Sequence, residues 1–453
     1  MKRWRIGCIP RGIDENLMTA KNGKTVALRS VGCRTNQEEI TLLGAELAAR
    51  GYRLMEEITE ADVVVINTCS VTSCSESKTR RLIGAVARKA PRARLLVTGC
   101  LAQQRPEALA ADPRIRWVVG NAHKDRIASI IDNVDGAVFH SRPDAPVWGG
   151  EAIPDTNDTP RTRFPLKIQE GCNYTCAYCI VPSLRGPARS RPWTEVIERC
   201  IGAADAGFRE IVLTGTHIGQ YRDGARGLAE LVEEMLGLSR DFRIRLSSLD
   251  PRDVTPRLLD LVAGDTRLCP HLHVSVQSLC GTVLKAMGRP YADHESFAVM
   301  LHEFRRKAPR VAVGGDFIVG FPGESDGMFE TTRGWVERIG FCYGHVFRYS
   351  PRPGTPAATF TNQIDEQEKR RRSRLLINTV RSTRRRFVES VIGVRERIIV
   401  EKRSPVMGVT GNYIRVELPE TSARRGEWLT IVPSDYDARR DRCRATVVAE
   451  ENV

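Results

Sequence analysis

No apolar run in these 453 residues approaches the roughly 20 needed for a membrane-crossing helix, which excludes a helical channel or transporter. An N-terminal apolar signal segment is missing as well, so the 13 cysteines are expected in a reducing cytoplasm, as ligands and not as disulfides. Acidic groups are in short supply. The 55 Asp and Glu face 69 Lys and Arg, leaving a formal charge of +14, and such an excess attracts polyanions, nucleic acid first. The chain is too long for one ordinary core, and about two to four domains are expected.

What is present centres on Lys167 to Pro192, KIQEGCNYTCAYCIVPSLRGPARSRP. Cys172, Cys176 and Cys179 stand there at C-x3-C-x2-C spacing, just after the apolar run Phe164 to Ile168, so their sulfurs can converge. Thiolates select soft centres such as zinc or iron–sulfur clusters. A structural zinc would close its shell with a fourth Cys or His nearby, and none follows; the next cysteine is Cys200, in a helix-like segment. Clusters usually take four cysteines, so a set of three suggests a cubane with one iron open to a further ligand.

Residues 1–24 are polar and basic, with an unpaired-looking Cys8 and an internal Met18, and read as a loose arm. From 25 to 140, strand-like runs (Val26 to Val31, Asp62 to Asn67, Arg94 to Thr98, Trp117 to Val119) alternate with helix-like ones (Gln37 to Arg50, Glu76 to Lys89, Pro106 to Ala111). That rhythm predicts a doubly wound parallel-sheet α/β domain. Cys33, Cys69 and Cys100 each follow one of these strands within one or two residues. Ligands in open α/β sheets gather at the carboxyl ends of strands, so these three predict a second cluster site. Cys74 reads as a bystander.

Residues 141–160, rich in proline, read as a linker. Over 161–391, six strand candidates recur (Phe164 to Ile168, Glu210 to Thr214, Phe242 to Ser247, His271 to Val276, Val313 to Val319, Gly344 to Tyr349), each followed by a loop and a helix-like segment. Six βα units predict a partial (β/α)6 barrel with chemistry at the carboxyl ends of its strands. The loops there offer Gly215, which would let a cofactor approach the backbone, then Ser247 and Asp250, Gln277 and Ser278, and Asp316 ahead of a glycine-rich turn. His217, His271 and His273 read as polar support. The basic segment Glu366 to Val391, with Arg384 and Arg385, carries an apolar stripe and reads as a helix able to meet phosphates. The last part, 392–453, predicts a small all-β barrel from runs at Arg397 to Glu401, Tyr413 to Leu418, Trp428 to Val432 and Arg444 to Ala449. Asn412, Tyr413, Arg415 and Trp428 are its candidate RNA contacts.

The three-cysteine loop, with Tyr178 before its last cysteine, resembles the radical S-adenosylmethionine (SAM) superfamily. Over nearly the full length from Thr25 the chain resembles the radical-SAM methylthiotransferases, closest to those acting on threonylcarbamoyladenosine in tRNA, through INTCSVT, LKIQEGCN, RGPARSRP, EIVLTGTHIG, HLHVSVQS, DFIVGFPGE, YSPRPGTPAA and GNYIRVEL. It departs from the family pattern at Leu279-Cys280, where Gly-Ser is usual.

The resemblance implies two [4Fe-4S] clusters, one on Cys172, Cys176 and Cys179 that cleaves SAM to a 5′-deoxyadenosyl radical, and one on Cys33, Cys69 and Cys100 that handles sulfur. It implies SAM contacts from Tyr178, Gly215, Ser247, Asp250, Gln277 and Asp316, and a carboxy-terminal TRAM barrel that grips RNA. The expected reaction replaces the C2 hydrogen of N6-threonylcarbamoyladenosine at tRNA position 37 with a methylthio group, consuming two SAM. The expected partners are the tRNA anticodon stem-loop and an external one-electron reductant, with the protein a cytoplasmic monomer. Rival readings keep the chemistry on isopentenyladenosine or a ribosomal-protein aspartate, or make the chain a non-catalytic RNA-binding metalloprotein.

Overall fold

The structure, a computed structural model, describes residues 23–32, 34–70, 73–144, 147–148, 152–154, 162–289, 294–419 and 423–448. Cys8 and Cys33 lie outside the described residues, as do most of the arm and parts of the linker. The chain forms two compact units.

The first unit takes in residues up to 154 together with 170–174 and 179–189. Its sheet is built from β1 (Thr25–Ser30), β2 (Arg53–Met55), β3 (Val63–Thr68), β4 (Arg94–Gly99), β5 (Ile115–Val119) and β6 (Ala137–Phe139). All neighbours are parallel, in the order β2-β1-β3-β4-β5-β6. β3, reading VVVINT, is buried at every position, as a strand covered on both faces must be. Val63 and Val65 join the core on one face with Leu43, Leu47 and Trp117. Val64 and Ile66 join the other with Ile83, Val86 and Val97. The doubly wound expectation is met, and the strand order reverses between β1 and β3, which places a ligand-binding crevice at their carboxyl ends. The short β2 and β6 lacked a sequence signal because three residues carry no readable period.

The second unit takes in 155–169, 175–178 and everything from 190 onward. β7 (Arg163–Glu170) and β8 (Arg189–Ser190) precede β9 (Glu210–Gly215), and β10 (Arg222–Asp223) pairs with β11 (Arg226–Gly227) in a small hairpin. Then follow β12 (Arg243–Leu246), β13 (Ser248–Leu249), β14 (His271–Gln277), β15 (Ala312–Val319) and β16 (Tyr343–Arg348). They form two sheets, β12-β9-β7-β8 and β13-β14-β15-β16, with the change of sheet at Ser247. The main strands are parallel, giving the open six-unit barrel expected. The predicted strand Phe242 to Ser247 is β12, and the chain changes sheet at Ser247, just before the unpredicted β13.

The carboxy-terminal barrel closes as β17-β18-β19-β21-β20, from β17 (Glu396–Arg403), β18 (Val406–Thr410), β19 (Arg415–Leu418), β20 (Trp428–Asp437) and β21 (Arg442–Val447). β18 went unread in the sequence because Gly408 interrupts it. A side chain there would meet the Ile399 carbonyl oxygen at 2.7 Å, so the strand pairing itself requires glycine.

The two barrels of this unit are joined through one carboxylate. Glu210, fully buried, accepts from Arg245 Nε at 2.6 Å and Arg243 Nε at 2.7 Å, with Arg163 Nε at 3.4 Å. Arg243 and Arg245 also donate to the carbonyls of Val409, Thr410 and Gly411 in and just after β18. Burial alone would raise the Glu210 pKa, but the three guanidiniums outweigh it and hold the carboxyl well below its usual range. Helix Glu366–Glu389 packs on the same unit, with Arg372 donating to Glu324 at 2.8 Å and Arg384 to Asp441 at 2.9 Å. No helix among the described residues is long and apolar enough to cross a membrane.

Candidate active site

At the carboxyl end of the six-strand barrel, Asp250 follows β13, caps the short turn after it and is buried. It pairs with Arg252 at 2.8 Å and Arg289 at 2.6 Å. Burial pushes its pKa up, but these two cations prevail and keep the carboxyl below its usual range. Arg289 also donates to the Ser275 carbonyl at 2.7 Å and to the Tyr178 hydroxyl at 3.2 Å, and lies 4.0 Å from Cys176 Sγ. One buried guanidinium therefore gathers Cys176, Tyr178 and Asp250. The sequence reading missed Arg289, since an arginine after a helix carries no signal without its neighbours.

Ser247 is buried at the sheet change, and its hydroxyl has no hydrogen-bond partner among the described residues. Gln277 ends β14 with φ of +66°, the left-handed region a non-glycine residue seldom enters, and the β14–β15 register shifts beside it. Such strain collects at ligand sites. Asp316 accepts from His345 at 2.9 Å and lies 3.1 Å from His273 Nε2. Burial raises its pKa, but the two histidines prevail and depress the carboxyl strongly. One ligand atom from each of these three residues lies within 4.8 Å of the others, and their mutual hydrogen bonds account for the grouping. A Cβ on Gly215 would sit 2.6 Å from the Gln169 carbonyl oxygen, so strand packing already asks for glycine there. His217 hydrogen-bonds Asp253 at 2.5 Å, and His271 contacts the Tyr343 hydroxyl at 2.6 Å, both as structural ties. Leu279 and Cys280 are buried, and the Cys280 amide donates to Ser278 Oγ. The departure from the family pattern is thus absorbed in packing.

In the first unit Cys69 follows β3 and Cys100 follows β4, each 3% exposed. Gly32, just before Cys33, has φ of +108°, and a Cβ there would fall 2.8 Å from Cys69 Sγ. The β1 turn therefore comes against Cys69. None of Cys69, Cys100, Cys172, Cys176 and Cys179 is in a disulfide. Thiols not tied up in disulfides are the donor type that an iron–sulfur centre takes.

Of the candidate RNA contacts, Asn412 is fully buried, reaching Glu396 at 3.2 Å, and Arg384 is committed to Asp441 and the Tyr413 carbonyl. Tyr413, at φ of +65°, packs its ring against His271 and Tyr343. Trp428 lies under Arg397 at 4.4 Å and Arg243 at 5.1 Å. Arg385 and Arg415 are exposed, Arg385 beside Glu389.

An open parallel barrel with a three-cysteine loop after its first strand defines the radical-SAM class. The radical SAM superfamily model matches residues 166–336, and the model described as uncharacterized protein family UPF0004 matches 25–120. The threonylcarbamoyladenosine tRNA methylthiotransferase MtaB of Chlamydia pneumoniae is 35% identical over 83% of this chain and 87% of that protein. Its namesake in Thermotoga maritima is 33% identical over 94% and 98%. The tRNA-2-methylthio-N(6)-dimethylallyladenosine synthase of Zymomonas mobilis is 32% identical over 83% and 86%. The radical SAM methyltransferase TsrM of Kitasatospora setae shares the fold, with a TM-score of 0.54 at 14% identity over 74% of this chain and 75% of that one. The chain belongs to the radical-SAM methylthiotransferase family, enzymes that use SAM and a [4Fe-4S] cluster.

Proposed function

We propose that this protein replaces the C2 hydrogen of N6-threonylcarbamoyladenosine at position 37 of tRNA with a methylthio group, using two [4Fe-4S] clusters and two SAM. It acts as a cytoplasmic monomer with an external one-electron reductant. The observation that carries the reading is the presence in one chain of a second cysteine set, Cys69 and Cys100 at neighbouring strand ends, besides the radical-SAM loop. Cys33, next to Gly32 in the sequence, completes it. The substrate follows the names of the relatives matched over most of the chain.

When bound, the cluster on Cys172, Cys176 and Cys179 with SAM supplies a 5′-deoxyadenosyl radical, suited to a C2–H too weakly acidic for any side-chain base. Arg289 orients Asp250 and Tyr178 beside Cys176, and the Asp250 carboxylate is kept ionised to receive the hydroxyl or ammonium groups of SAM. The free Ser247 hydroxyl, Gly215 and the strained Gln277 stand at strand ends of this barrel, and Asp316 lies inside β15. The two histidines on Asp316 fix its carboxylate in one orientation.

For RNA, the exposed Arg370, Arg374, Arg381 and Arg385 of helix Glu366–Glu389 fall within an arc of about 60° at ~100° per residue and span roughly 22 Å, a stripe suited to phosphates. Arg415, exposed on β19 of the barrel, is a further candidate phosphate contact.

Anaerobic reconstitution followed by iron analysis tests the two-cluster reading. About eight irons per chain are expected, and about four would leave only the radical-SAM cluster.

A further inference from the structure

Within the first unit, the short helix Val181–Arg185 opens two residues after Cys179 and ends on a buried arginine. Arg185 Nη1 donates to Glu39 Oε1 at 2.8 Å and to Glu170 Oε1 at 3.1 Å. Its Nη2 donates to Asn36 Oδ1 at 3.2 Å. Glu39 and Asn36 stand on helix Arg34–Ala49, which begins directly after Cys33, and Glu170 stands two residues before Cys172. The network continues to the other strand ends. Asn36 Nδ2 donates to the carbonyls of Val31 at 3.0 Å and Thr68 at 2.8 Å, the latter next to Cys69. Asn67 Nδ2 donates to Glu39 at 3.1 Å and to the Asn36 carbonyl, and Lys124 makes a short ion pair with Glu39. Cys100 itself packs against Ile180 and Leu184 of the Cys179 segment.

Arg185, Glu39 and Glu170 are no more than 9% exposed. Burial works against the Arg185 charge, but Glu39, Cys100 and Glu170 hold its pKa well above the ordinary value. Desolvating such ions costs about as much as their attraction returns, so a buried network of this kind adds little net stability while fixing one arrangement of the segments it ties. Here those segments are the ones that carry Cys33, Cys69 and Cys100 on one side and Cys172 and Cys179 on the other.

We propose that Arg185 is a positioning residue that holds the radical-SAM cysteine loop in register with the second cysteine set, so that sulfur transfer follows SAM cleavage. It rests on the two-cluster reading above. Each set of thiolates is complete without Arg185; what its loss removes is the fixed spacing between them.

The test uses the full chain, reconstituted anaerobically, as wild type, Arg185→Met, and Arg185→Met with Glu39→Gln, which neutralises one of the two carboxylates that lose the arginine. Three quantities are read: iron per chain, 5′-deoxyadenosine released, and methylthiolated nucleoside formed per 5′-deoxyadenosine. The electron paramagnetic resonance of the reduced protein reports magnetic interaction between the clusters independently of turnover. Both variants are expected to keep wild-type iron and SAM cleavage within about twofold, to lose about tenfold in product per 5′-deoxyadenosine, and to show a changed intercluster interaction. An unchanged product ratio and spectrum in Arg185→Met would overturn the proposal, as would recovery of both by the double variant, which would reduce Arg185 to a fold stabiliser. A wild-type protein with normal clusters and no methylthio product on tRNA would instead sink the function proposed above, leaving the spectroscopic comparison to decide the role of Arg185.

Discussion

Arg289 Nη2 donates to Asp250 Oδ2 at 2.6 Å, and the same guanidinium reaches the Tyr178 hydroxyl at 3.2 Å. One cation therefore sets two of the groups proposed above to meet SAM. Replacing Arg289 with Met leaves Asp250 buried with Arg252 as its remaining cation, and its pKa rises. SAM affinity is expected to fall about tenfold to a hundredfold, with the loss deepening as pH is lowered, while the fold survives. Calorimetric titration of the reconstituted variant with SAM at two pH values checks this; wild-type affinity at both would remove Arg289 from the site.

In the function proposed above, the two cysteine sets divide the labour. Cys176→Ala is expected to abolish 5′-deoxyadenosine release. Cys69→Ala is expected to retain SAM cleavage and lose methylthiolation. Loss of both activities in Cys69→Ala, with circular dichroism unchanged, would count against two separate jobs.

Glu210 holds three arginines and, through them, the carboxy-terminal barrel. Glu210→Gln leaves those guanidiniums buried without their anion, a change that costs about 3–5 kcal/mol and is read as a lowered denaturation midpoint. The sign of the pH effect follows from the depressed carboxyl. Its contribution is complete above the unfolded-state pKa of about 4.3 and drains away as pH falls through the lower folded value. Wild type therefore loses stability in acid, and the variant lacks that part of the acid limb.

The arginine stripe on helix Glu366–Glu389 is expected to act on RNA through charge. Replacing Arg370, Arg374 and Arg381 by Ala should weaken tRNA binding across tRNA sequences and flatten the log–log salt dependence by about 0.7 to 0.9 for each phosphate no longer neutralised. Filter binding over a range of salt tests it. An unchanged slope would move the RNA surface elsewhere.

Most of the fold was legible because its strands are long and apolar, as in VVVINT of β3 and HLHVSVQ of β14. The cysteine sets were legible because spacing within a loop, and position after a strand, survive in the linear chain. Asn412 and Arg384 show what was hidden. Both look like surface polar groups in sequence, yet each is buried by a partner far along the chain, Glu396 and Asp441 in the structure. Arg185, Glu39 and Glu170 were unreadable for the same reason: a charge network between segments 146 and 15 residues apart leaves no period to find. The apolar stripe of the long helix, with Leu376, Val380 and Phe387, was legible, and the structure adds which of its arginines stay exposed.

The most direct measurement is nucleoside mass spectrometry of total tRNA from a host lacking this activity, with and without the gene. The expected result is a methylthio group on threonylcarbamoyladenosine that appears only with the gene and disappears with Cys176→Ala. A methylthio group on isopentenyladenosine instead would contradict the substrate, and unchanged tRNA from cells whose protein carries both clusters would contradict tRNA as the target altogether.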